Sequence, residues 1–229
     1  DLLSGLERSG AGSVEIGFPF SDPIADGGVI AQAMHDTLQS GQSVDDLLSA
    51  VGSARSQTKL GLVAMISISL IERMGGASFL GRLARTGFDG VIIPDLTVEE
   101  SLPYRDVARE NGLAFTLLIA PTTPADRAAQ IAEACSGVIS GLARTGITGE
   151  RAEAPDVAAP VRRLRDLTDA PLAVGFGISS AEHVRAVIDE ADAAIVGSAL
   201  VRRMIEAERP AEEAEAFCTA LAEGLPRQA

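Results

Sequence analysis

Short apolar runs separated by amphipathic stretches recur along the whole chain, and this period limits the fold more than any other feature. Runs rich in Val, Ile and Leu cover Ser13 to Gly17, Leu60 to Ile66, Gly90 to Pro94, Leu113 to Ile119, Gly137 to Ser140, Pro171 to Gly175 and Ala193 to Gly197. Most are continuous rather than alternating, which suits strands buried on both faces of a parallel sheet. Helical spacing fills the intervals: Ile30 to Gln39, Ser43 to Ser56, Ala77 to Thr86, Val98 to Asn111, Pro124 to Cys135, Val157 to Leu167, Ala181 to Asp189 and Val201 to Leu221. Residues 1–10 carry Leu2, Leu3 and Leu6 at helical spacing and stop at Gly10, so the chain opens on the end of a helix. Starting signals stand at Thr97 with Glu100, at Thr123 before Pro124, and at Ser179 with Glu182.

Strand then helix at intervals of roughly 20 to 35 residues is the period of a barrel or a doubly wound sheet. No GxGxxG follows the first strand, which weakens a dinucleotide-binding sheet. The expectation is an α/β fold with seven strands visible: a doubly wound sheet remains possible, and a closed (β/α)8 barrel needs eight strands, so either the first strand lies outside this sequence or the barrel is open. With 229 residues, no linker and no low-complexity stretch, the chain is expected to form one domain over 1–229.

Charge narrows the partners. Lys and Arg total 19 against 32 Asp and Glu, a net charge of -13 that repels a polyanion, so nucleic acid is not an expected partner. A small phosphorylated substrate is compatible, because backbone N–H groups hold phosphate against the global sign. Cys135 and Cys218 stand in Ala-rich helical stretches and are expected to pack as small apolar groups. Neither they nor His35 and His183 form a ligand cluster, so no metal site is expected. The longest apolar run, Leu60 to Ile71, is far shorter than a bilayer span of ~20 residues. No leader is visible, and a soluble, cytoplasmic protein without membrane contact is expected.

Candidate chemistry gathers where predicted strands end. VEIGFPFSDPIADGG, Val14 to Gly28, places Glu15 on a strand and Asp22 and Asp26 in the loop after it. Loops at strand C-termini carry the chemistry of a barrel, while acids in such loops also serve as ordinary turn residues. GFGIS (Gly175 to Ser179) and VGSAL (Val196 to Leu200) bring glycines to two late strand-to-helix junctions, where free N–H groups can hold an anion. ARTGITGE, Ala143 to Glu150, carries Arg144, Thr148 and Gly149 and suits a lid or a phosphate contact. Asp95 in IIPDL reads as a structural acid starting the next helix.

FPFSDPIADG, GVIIPDL, APTT, TGITGE, VGFGIS and IVGSAL, in this order and spacing, resemble the α subunit of tryptophan synthase from about Gly10 to Val201. The resemblance implies an α/β TIM (β/α)8 barrel, here with seven strands visible and the usual first strand absent, and a lyase of tryptophan biosynthesis. Such an enzyme cleaves indole-3-glycerol phosphate by a retro-aldol reaction to indole and glyceraldehyde 3-phosphate. Motif by motif, it implies Glu15 as the catalytic acid and base and Asp26 as the acceptor of the indole N–H. Gly149, Phe176, Gly177, Gly197 and Ser198 match phosphate-binding positions, with Arg144 and Thr148 as lid or substrate contacts. It also implies a β-subunit partner in an α2β2 heterotetramer, with pyridoxal phosphate in that partner and no cofactor in this chain.

The sequence departs from the family around the indole. ADGGVIA stands where the family usually has ADGPxIQ, MISISL where it has a tyrosine-bearing MxYYNP, and Ser140 where a tyrosine is usual. A lost hydrogen-bonding side chain costs ~1 to 3 kcal/mol of transition-state stabilisation. Two alternatives follow: a weakly catalytic or non-catalytic phosphate-binding barrel that activates a partner subunit, and a sugar-phosphate isomerase, which has no reason to carry FPFSDPIADG.

Overall fold

The structure, a computed structural model, describes residues 2–23, 26–142, 157–175 and 177–226. The chain opens on α1 (Leu2–Arg8) and enters β1 (Ser13–Gly17). Two helices follow, α2 (Gly28–Gln39) and α3 (Val44–Arg55), then β2 (Gly61–Met65). The next units are α4 (Ile68–Arg73), α5 (Ser78–Thr86) and β3 (Gly90–Ile92), then α6 (Leu102–Glu110) with β4 (Ala114–Thr116) and β5 (Leu118–Ile119). After α7 (Ala125–Ala134) come β6 (Ile139–Leu142), α8 (Ala158–Arg165), β7 (Leu172–Gly175), α9 (Ala181–Ile188) and β8 (Ala193–Ile195). Two helices, α10 (Ser198–Glu206) and α11 (Pro210–Ala222), close the described chain.

All named strand pairs are parallel, in two sheets ordered β1-β2-β3-β4 and β5-β6-β7-β8. The two sheets are one wall, because β4 and β5 are halves of the single run predicted from Leu113 to Ile119. The break has a chemical cause. The Phe115 N–H donates to the Ser136 carbonyl at 3.1 Å and the Ser136 N–H returns to Phe115 at 2.8 Å, while the Leu117 N–H donates to Cys135 Sγ at 3.3 Å. Cys135 therefore does more than the expected apolar packing; burial pushes its thiol pKa up. The seven predicted strand positions are present, and this is a TIM barrel lacking one strand, with β1 and β8 as the edges among the described strands. Helices α2 and α10 lie against each other beside those edges.

Other differences are local. The stretch read as one helix from Val98 divides into a 3-10 turn, Val98–Glu100, and α6 with Pro103 in its first turn. The terminal helix divides before Pro210, which starts α11. Thr97 stands at the N-cap of the 3-10 turn, but its hydroxyl bonds the Glu100 side chain at 2.9 Å rather than backbone; Thr123 does not cap, its hydroxyl accepting from the Ala120 N–H at 3.1 Å. A full capping box that the sequence reading passed over joins Ser43 and Asp46 at the start of α3.

One device repeats at the N-terminal ends of the strands. The Asp89 N–H donates to the Leu62 carbonyl at 2.7 Å, and its carboxylate accepts the Leu62 N–H at 2.8 Å and Arg55 Nη1 at 2.9 Å. Asp192 clamps Leu172 in the same two ways, at 2.9 and 2.7 Å, and takes Arg165 as its cation. In each case an acid just before one strand seizes the start of its neighbour, and the arginine comes from the helix preceding that neighbour. Leu62 and Leu172 are 0% exposed, so their N–H groups depend on these carboxylates.

Replacing Asp89 or Asp192 by Ala is expected to cost about 1–2 kcal/mol each, chiefly the partner of a buried N–H, since exposed ion pairs add little. Urea unfolding measures it. The Leu172 N–H and then Arg165 hold the Asp192 carboxyl below its ordinary 3.8. Its stabilisation is thus complete above that value and is lost as pH falls through the lowered native pKa. Acid unfolding of Asp192→Ala is expected to show a shallower pH slope in that window than the parent.

Candidate functional site

Parallel strands bring all their C-terminal ends to one side, so residues just past β1, β7 and β8 can meet there. Glu15 stands two residues before the end of β1, in register with Val63, which is in register with Gly90 and then Ala114. Registered neighbours share a face, so a carboxyl lies in a row of Val, Gly and Ala. In the second sheet a side chain at Gly141 would meet Leu164 of α8 at 3.3 Å, so that parity faces the helices. Ser140, of opposite parity, faces the barrel interior in a row with Leu118, Ala173 and Ala193. Small residues dominate these two rows, with Leu118 the largest, and no aromatic stands in either.

Glu15 is half-buried, and among the described residues no group hydrogen-bonds its carboxyl. Water is withdrawn and no described group compensates, so burial lifts its pKa to about 7. The loop that follows is anchored by Phe18, which is buried, donates its N–H to Met65 at 2.9 Å and packs its ring on Phe88. Asp26 lies beyond, half-buried, just before Gly27, the N-cap of α2, and burial raises its pKa too. Asp22 is exposed and takes the Ser21 hydroxyl at 2.7 Å, a loop-internal bond.

The two late glycine motifs come together. Gly175 pairs with Ile195, so Gly177 and Gly197 each stand two residues beyond one registered pair. Gly177 has φ +79°, a left-handed backbone that glycine adopts without strain. A side chain at Gly197 would meet nothing within 4 Å, so the space before α10 is open. Ser198 begins α10 at 8% exposure, with its hydroxyl buried and unpartnered. A dry hydroxyl with no partner, next to the N–H groups of a helix start, is a ready donor site for an anion. Phe176, Gly149, Arg144 and Thr148 lie outside the described residues.

Two features escaped the sequence reading. Asp95 does not start the helix after its own strand. It accepts the Ser67 hydroxyl at 2.6 Å and the Ile68 N–H at 2.8 Å, and so pins the start of α4, a helix the apolar run through Ile71 concealed. The cap of α9 is Ser180, not Ser179: its hydroxyl accepts the His183 N–H at 3.2 Å. A cleft of about 510 Å³ between α10 and α11 lies apart from Glu15 and Asp26. Arg203 crosses it, paired with Glu213 at 2.9 Å and stacked 4.4 Å over Phe217. Among the described residues no cluster of three His, Cys, Asp or Glu is placed to hold a metal, and no helix is long and apolar enough to cross a membrane.

A sequence model of the tryptophan synthase alpha chain family matches residues 1–227. A tryptophan synthase alpha chain of Synechococcus elongatus is 42% identical over 228 residues, 99% of this chain and 85% of that protein. One from Thermosynechococcus vestitus is 41% identical, over 96% and 84%. Among solved structures, Mycobacterium tuberculosis tryptophan synthase superposes with a TM-score of 0.89 at 33% identity, over 97% of this chain and 84% of that one. The tryptophan synthase A-subunit of Pyrococcus furiosus gives 0.88 at 32%, over 96% and 89%.

The raised Glu15 pKa has a cost in stability. The folded state keeps a proton that the unfolded chain gives up near 4.5, so this group lowers stability as pH rises from there to about 7. Glu15→Gln is therefore expected to be more stable than the parent by ~2–3 kcal/mol at pH 7.5, with the gap closing toward pH 4.5. Denaturant unfolding at a series of pH values measures it, and a constant gap would remove the buried-carboxyl account.

Proposed function

Since the chain belongs to the tryptophan synthase alpha chain family, we propose that Glu15 and Asp26 carry its retro-aldol cleavage of indole-3-glycerol phosphate, with Gly177, Gly197 and Ser198 holding the phosphate. The enzyme is a lyase of tryptophan biosynthesis. Cleavage breaks the bond between indole C3 and the glycerol carbon. C3 takes up a proton, and the hydroxyl on that glycerol carbon loses one and becomes the aldehyde of glyceraldehyde 3-phosphate. One carboxyl can serve both transfers if its pKa lies near neutral pH, and the observation that carries this reading is the Glu15 pKa of about 7. The row of Val63, Gly90 and Ala114 supports it, since uncharged small neighbours neither pair with the carboxylate nor exclude a ring.

Asp26 takes the second role. Protonation at C3 puts positive charge on the indole nitrogen, and a carboxylate accepting its N–H stabilises that charge. At the far end, the open space at Gly197 and the unpartnered Ser198 hydroxyl suit three phosphate oxygens. Phe176 and Gly149 are the remaining proposed phosphate contacts, and Arg144 and Thr148 the proposed lid contacts, by motif alone. Holding the phosphate fixes the reacting carbon against Glu15 and converts binding into orientation.

In the same reading the chain forms one domain and works in the cytoplasm in an α2β2 complex, with pyridoxal phosphate in the β subunit and none here. The interior row of Ser140, Ala173 and Ala193 offers no ring or phenol hydroxyl to the substrate. That favours, as a second reading, a phosphate-binding barrel whose main action is to activate its partner.

Indole release from indole-3-glycerol phosphate, assayed with and without a β subunit, separates the two. Glu15→Gln is expected to lower kcat by ~10²-fold or more, and the parent profile of kcat against pH is expected to bend near 7. Equal turnover by parent and Glu15→Gln would overturn the role of Glu15, and no release under any condition would favour the partner-activating barrel. Ser198→Ala is expected to raise KM about fivefold with kcat little changed, the mark of a contact made equally to substrate and transition state.

A further inference from the structure

The start of α9 holds a reciprocal arrangement of unusual composition. The Ser180 hydroxyl accepts the His183 N–H at 3.2 Å, and His183 Nδ1 accepts the Ser179 N–H at 3.3 Å. This is a capping box in which an imidazole replaces the usual carboxylate and reaches one residue further back. His183 is 5% exposed, so the bond is made out of water. An Nδ1 that accepts has its lone pair committed, so the ring is the tautomer with its proton on Nε2.

Ser179 stands two residues beyond Gly177, with its positive φ, and the intervening Ile178 is buried. The described part of the loop after β7 is thus tethered at its far end by Ile178 packing and by the imidazole. We propose that His183 is a positioning residue for the phosphate cradle: by holding the Ser179 N–H it sets the path of the loop, so that the backbone around Gly177 faces the anion beside Gly197 and Ser198. His183 touches neither the anion nor the reacting atoms and acts through the Ser179 backbone. The proposal rests on the phosphate reading of Gly177, Gly197 and Ser198 given above.

Binding of sn-glycerol 3-phosphate by calorimetric titration, together with steady-state cleavage kinetics, tests it. His183→Leu and His183→Phe remove the acceptor while keeping an apolar group. Both are expected to weaken binding about tenfold, equivalent to ~1.4 kcal/mol, and to raise KM with kcat within about twofold. His183→Gln, whose side-chain oxygen can accept the same N–H, is expected to bind within about threefold of the parent. A purely structural histidine would lower the Tm and leave the Kd of the folded variants unchanged. Unchanged binding by Leu and Phe, or a loss in Gln as large as theirs, overturns the positioning role. If the parent itself fails to bind, the phosphate reading falls and this role with it; binding that Gly177→Asp abolishes and the His183 variants leave intact overturns this role alone.

Discussion

Strand register is the constraint on which everything else here depends. In a parallel sheet a slip of one residue would turn Glu15 from its row onto the opposite face and carry Gly177 and Gly197 out of step. The aspartate clamps fix the β2–β3 and β7–β8 registers at the N-terminal end, where Asp89 and Asp192 each grip one leucine through both its N–H and its carbonyl. Chemistry can then sit at the other end on loops whose starting points do not shift. The clamps and the site therefore divide the barrel between its two faces, stability below and binding above.

The site joins two kinds of unsatisfied group. Glu15 is a carboxyl for which no described group compensates its lost water, and Ser198 is a hydroxyl with no partner among the described residues. Both are unfavourable in the free protein. The proposed substrate, with a proton-accepting carbon at one end and a phosphate at the other, would relieve both, so binding could repair what folding leaves open.

Legibility in the sequence followed the range of each interaction. The seven strand runs were readable because continuous apolar stretches between amphipathic ones report burial directly, and β1 was bounded as Ser13–Gly17 on that basis. That Glu15 and the two glycine motifs stand near strand C-terminal ends was legible because the runs before them read as strands. What stayed hidden depends on residues distant in sequence. The strand break at Leu117 is made by Cys135 and Ser136, and α4 is started by Asp95, 27 residues further on. The cap of α9 was misplaced by one residue because the histidine in it does the work usually given to glutamate.

A carboxyl with a pKa of about 7 also makes the resting protein a mixture. At neutral pH comparable fractions of molecules hold the Glu15 proton and lack it, and the two forms differ by a whole charge inside one small-residue row. In the cycle proposed for Glu15, only the protonated form would give a proton to indole C3, and only the ionised form would take one from the hydroxyl. Each molecule therefore enters the cycle from one side or the other, and a full turnover returns it to the form in which it began.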